Sequence, residues 1–165
     1  MRSNRTFSFA RLCLLAAVLF SLVLPMAAQS SSDQIAKMVS LMQANNYNFV
    51  TTKSPTVWVI HLDGTHLKDV KVIVALNTDD NSAVVFVTVV EKRHLPVTTD
   101  FMRHLLEQNH ALDRVKIGYD ADGDLFVRID APMRNADAKE VHDIINQVKN
   151  ASDEIYGQVE PSLLP

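Results

Sequence analysis

The chain has 165 residues, 47% of them hydrophobic and 21% charged, with a formal net charge of −3. That acidic balance, with no basic cluster beyond Lys92-Arg93, points away from nucleic acid and from anionic membrane surfaces as partners. One cysteine and four glycines exclude a disulfide framework and a phosphate-cradling glycine loop.

Residues 1–28 read as a secretory signal peptide. Arg2, Arg5 and Arg11 precede an apolar run from Leu12 to Leu24, followed by Pro25-Met-Ala-Ala28. The run is shorter than the ~20 apolar residues that span a bilayer. Cleavage is expected after Ala28; the competing reading is an uncleaved N-terminal anchor. Three of the 16 basic residues and none of the 19 acidic ones lie in this segment, so its removal takes the net charge from −3 to −6. It also removes Cys13, and with it any cysteine chemistry. The expected location is periplasmic or secreted, and residues 29–165 are enough for one domain with a sizeable core and no membrane span.

Along that remainder, Ile35, Met38, Leu41 and Met42 recur at helical spacing, and Ser31 with Gln34 can form a capping box, predicting a helix over 32–45. Strands follow over 48–52 and 56–62, punctuated by Pro55 and closed by Asp63-Gly64. Two more, over 70–76 and 83–91, flank the turn formers of residues 77–82. In the fourth strand both faces are apolar, Val85, Val87 and Val89 against Val84, Phe86 and Val90, a pattern usual for strands covered on both sides, the second cover being another helix or another subunit. Pro96 and Thr98-Thr99 introduce a second helix over 99–109, with the stripe Phe101, Met102, Leu105 and Leu106. A hairpin over 114–120 and 124–131 turns at Ala121-Asp-Gly123, and a closing helix over 136–156 carries Val141, Ile144, Ile145, Val148 and Ile155. Residues 160–165 read as a frayed tail. The order α-ββββ-α-ββ-α with short turns predicts an α+β fold, an antiparallel sheet with helices on one face.

Three stretches carry a family likeness: Leu41 to Phe49, the helix Phe101 to Asn109 that ends in an asparagine before the hairpin, and the Asp-Gly hairpin Lys116 to Leu125. Together with the element order they resemble the YbjN family, labelled sensory transduction regulators, which shares the fold of type III secretion chaperones. The resemblance implies a non-catalytic protein that binds unfolded or extended segments of partner proteins, commonly as a homodimer. The chain departs from secretion chaperones in carrying an export signal, which points away from an effector-chaperone role.

Candidate chemistry is sparse. Asp120, Asp122 and Asp124 have the spacing of the first calcium-loop ligands, but Leu125 and Ala131 occupy the places of the required glycine and bidentate acid, so a hairpin turn explains them. His61, His66, His94, His104, His110 and His142 include no pair at i, i+3 or i, i+4. No Gly-x-Ser-x-Gly is present. No catalytic, cofactor or metal set is assigned. The expectation is a non-enzymatic, exported protein- or peptide-binding module, a homodimer. Its candidate partner-binding residues are Val84, Phe86, Val90 and Trp58, the last read most simply as core. The alternatives are an enzyme assembled from scattered groups such as His61, His66 and His94, and a purely structural envelope component.

Overall fold

The computed structural model describes residues 30–165; the expected signal peptide lies outside them. Helix α1 (Ser31–Ala44) is capped by Ser30, whose Oγ accepts the Asp33 N–H at 3.2 Å. The cap sits one residue before the expected Ser31–Gln34 box because Gln34 turns into the core instead. The strands are β1 (Phe49–Thr51), β2 (Val57–Leu62), β3 (Val70–Asn77) and β4 (Ser82–Val90). Helix α2 (Thr99–Ala111), β5 (Lys116–Tyr119), β6 (Leu125–Pro132) and α3 (Ala138–Val159) follow. Among the described residues, no helix is long and apolar enough to cross a membrane.

The six strands form one antiparallel sheet in the order β1-β2-β3-β4-β6-β5. Strand alternation divides it into two unlike faces. Trp58, Val74, Val85 and Ile129 lie side by side across β2, β3, β4 and β6 and are 1–3% exposed, so this is the core face. Helix α3 covers it with Val141, Ile144, Ile145, Val148, Ile155 and Val159, in contact with β3, β4 and β6. Helix α1 packs on α3 and buries Met38 and Met42. Asn45 joins the two, its Nδ2 donating to Leu41 O at 3.0 Å and Ala138 O at 2.7 Å. The α+β architecture is that expected from the sequence.

Helix α2 packs against β5 and departs from its expected stripe: Phe101 and Leu105 are buried, but Leu106 is 67% exposed. Near its end Asn109 acts as a one-residue substitute for a strand. Its Nδ2 donates to Ile117 O and its Oδ1 accepts Ile117 N–H, both at 2.8 Å, so the free edge of β5 is plugged at its centre. Asn109→Ala is expected to cost about 1–2 kcal/mol, because a partly buried N–H and C=O both lose their partner. An unchanged urea midpoint would show that water replaces the amide at no cost.

The β2–β3 connection is held down from the far end of the chain. Asp153 is 7% exposed on α3. Its Oδ2 accepts the Thr65 N–H, and its Oδ1 accepts those of His66 and Leu67, all at 2.8 Å. Burial by itself pushes this carboxyl's pKa up. The three backbone donors, with His66 nearby, outweigh that and hold it below the ordinary aspartate value. Gly64 allows the approach: a Cβ there would lie 2.5 Å from Asp153 Oδ1 and from Leu67 O. The tail is not frayed as expected. Residues Glu160–Ser162 form a 3₁₀ turn, and Leu164 N–H donates to His94 O at 2.8 Å.

Candidate functional site: the open sheet face

The face opposite the helices carries the residues of the other parity. One row crosses all six strands by direct pairing: Val50, Val59, Ile73, Phe86, Arg128 and Lys116. Its first four members are apolar, and none of them is buried: Val50 is 67% exposed, and Val59, Ile73 and Phe86 are half-buried. A neighbouring row, Val57, Ala75, Val84 and Asp130, is likewise apolar until its last member. The sequence expectation that β4 is apolar on both faces is therefore realised, with a cover on one face only among the described residues. A contiguous apolar surface on a folded protein marks a place where something docks.

Of the four candidate partner-binding residues, Val84 and Phe86 lie on this open face, half-buried and accessible. Trp58 and Val90 do not. Trp58 is 1% exposed in the central core row, and Val90 is 6% exposed. For Val90 the reason is a β-bulge: the β4–β6 register shifts between Thr88 and Val90, so Val89 and Val90 both turn inward and strict alternation ends. The face is better defined by residues that periodicity alone did not single out: Val50, Val59 and Ile73 on one side, Phe126 and Arg128 on the other. Their signal was present in the alternation of each strand, but which parity faces out becomes clear only once the helices are placed.

At the β6 side the face turns polar. Lys116 Nζ donates to Asp130 Oδ2 at 2.9 Å, and Arg128 Nη2 stands 3.4 Å from the same oxygen. The Arg128 guanidinium lies 5.4 Å from the Phe126 ring centroid, within cation–π range. Phe126 itself leans over Gly118 of β5, where a Cβ would come within 3.0 Å of its Cζ.

The scattered polar groups form local contacts. His61 Nδ1 is 2.9 Å from both carboxylate oxygens of Asp69. His94 Nδ1 pairs with Leu164 O at 3.1 Å, while His66 sits in the connection held by Asp153, against Gly157. His142 lies between Tyr47 Oη at 3.0 Å and Asn146 Nδ2 at 2.8 Å, with its ring stacked on that of Tyr47. Burial first, and then the nearby Asp143 charge, raise the Tyr47 pKa. Among the described residues no three His, Cys, Asp or Glu side chains converge as a metal site would require. In the hairpin, Asp120 Oδ1 accepts the N–H groups of Asp122 and Asp124 at 3.0 and 2.9 Å, the turn-forming use of these acids.

No protein-family model and no curated protein matches the chain. Solved structures do resemble it. A chain of the ExsC–ExsE complex gives a TM-score of 0.58 at 11% identity, covering 77% of this chain and 93% of that one. A chain of the heterodimeric ExoU–SpcU complex from the type III secretion system of Pseudomonas aeruginosa gives 0.50 at 15% identity, over 77% and 97%. A chain of the complex between the Yersinia pestis type III secretion chaperone SycH and a fragment of YscM2 gives 0.46 at 11% identity, over 68% and 91%. The architecture is thus shared with the matched chains of the ExsC–ExsE and ExoU–SpcU complexes, and at these identities the likeness is one of fold.

Proposed function

We propose that this protein is an exported, non-enzymatic binding module, a YbjN-like homodimer that holds an extended segment of a partner protein on its open sheet face. The observation that carries the reading is the apolar row Val50-Val59-Ile73-Phe86, left without a helix among the described residues in a fold whose other face is covered by α3. An extended segment suits it because a pleated surface offers shallow furrows, about 4.8 Å apart, rather than one deep pocket. The resemblance to YbjN proteins and the chaperone-like fold both favour a protein partner over a small molecule. The apolar run of residues 12–24, flanked by arginines and small residues, supports export.

Photo-cross-linking from position 86 in the native envelope tests the site, with the exposed Glu107 of α2 as the control position. Capture of the same discrete protein from position 86 alone is expected, with loss of that capture when Val84→Asp is added. Equal capture from both positions would remove the open face as the site. Intact mass of the purified protein tests the address: loss of Met1–Ala28 is expected, and their retention would overturn cleavage. Light scattering at twice the monomer mass is the expected result for the homodimer, and a strict monomer would remove it.

A further inference from the structure

Between β4 and β6 the open face deepens into a groove of about 260 Å³, lined by Val84, Phe86, Thr88, Asp120, Phe126 and Arg128. Its walls are mainly apolar, yet it contains a guanidinium whose N–H groups the fold leaves incompletely satisfied. Arg128 Nε is shielded from solvent and has no acceptor among the described residues. The contact of Arg128 Nη2 with Asp130 is long, 3.4 Å, and that carboxylate is already hydrogen-bonded to Lys116 at 2.9 Å. The other acid at the groove, Asp120, directs Oδ1 at the hairpin N–H groups of Asp122 and Asp124. Asp130 is therefore shared between Lys116 and Arg128, Asp120 Oδ1 is committed to the turn, and Arg128 Nε is left without an acceptor beside an apolar wall. A guanidinium in this position gains most from a carboxylate, which accepts from two of its N–H groups at once.

We propose that the groove selects a partner segment carrying a side-chain carboxylate two residues from an apolar side chain. The carboxylate is held by Arg128, and the apolar group lies against Val84, Phe86 and Phe126. The spacing follows from the sheet: Phe126 and Arg128 are two residues apart on β6, and an extended segment presents alternate side chains on one side at about 6.8 Å. This inference rests on the reading of the open face as the partner site and adds the chemistry of what is recognised there.

Fluorescence polarisation with C-terminally amidated eight-residue peptides tests it. One peptide carries Phe and Glu at i and i+2 in a threonine background, and its match carries Gln for Glu. The wild-type protein is expected to bind the Glu peptide about tenfold or more tighter, the effect of a hydrogen bond to a charged group. Arg128→Gln abolishes that preference, and Arg128→Lys, which keeps charge but loses the fork, restores part of it. Equal affinity of the two peptides for the wild-type protein overturns the carboxylate selection and leaves the face as an apolar site. Binding of neither peptide, with cross-linking from position 86 intact, likewise overturns it. Failure of both experiments removes the face reading as well. Should Arg128→Gln not fold, the wild-type comparison of Glu with Gln decides alone.

Discussion

Replacing Asp153 with alanine is expected to destabilise the protein by about 3 kcal/mol, because three backbone N–H groups lose a charged acceptor at once. For a domain of this size that lowers Tm by roughly 10 °C. Asp153→Asn keeps an acceptor for two of the donors but turns an NH₂ toward the third, and its expected cost is about 2 kcal/mol. The two variants also differ from the wild type in acid. The folded pKa of Asp153 lies below its unfolded value, so its contribution is fully present above the unfolded range near ~4 and is lost as pH falls through the lower folded value. Denaturation midpoints followed from pH 6 to pH 2 are expected to fall less steeply for Asp153→Asn than for the wild type. Parallel curves would show that the carboxylate carries no special stability.

The second large effect separates core from site. Trp58→Ala removes a 1% exposed side chain of the core row and is expected to cost about 4 kcal/mol, leaving a cavity on the core face. Phe86→Ala, one strand pairing from Ile73 on the open face, is expected to cost only about 1 kcal/mol, since a half-buried ring gives up less transfer energy. Partner capture shows the reverse order. Phe86→Ala weakens it about tenfold or more, the scale of an aromatic hot spot, while any folded Trp58 variant still binds. A Trp58 variant as stable as the wild type would remove this residue from the core. Full partner capture by Phe86→Ala would remove that ring from the site.

Much of the fold was legible because its elements are locally consistent. The Asp120 to Asp124 turn, the alternation of Val70, Val72, Val74 and Leu76, and the stripe of α3 each follow from one period and its punctuation. What escaped was set by contacts distant in sequence. The bulge that turns Val90 inward depends on β6 pairing. Leu106 fits a helical stripe, yet α2 sits by the sheet edge, where that flank meets solvent. Asp153 reads as one of the polar residues of an amphipathic helix, and only the arrival of the β2–β3 connection makes it a buried acceptor. The candidate site was half legible. Val84 and Phe86 follow from two-faced apolarity, whereas Arg128 gave no signal because its place beside Phe126 and Asp130 is set by the parity of β6.

The bond between Asp153 and residues 65–67 also bears on the order in which the chain can fold. It joins positions 86 to 88 residues apart, and α3 leaves a ribosome after all six strands of the sheet. Until it arrives, the core face of the sheet has no lid and the β2–β3 connection has no anchor. Segments of the chain emerging first can make hairpins, but not a stable sheet, because closing so long a loop costs entropy before the helix rewards it. Helix α3 therefore acts as a completion signal for the sheet, keeping the strands pliable until it has emerged behind them.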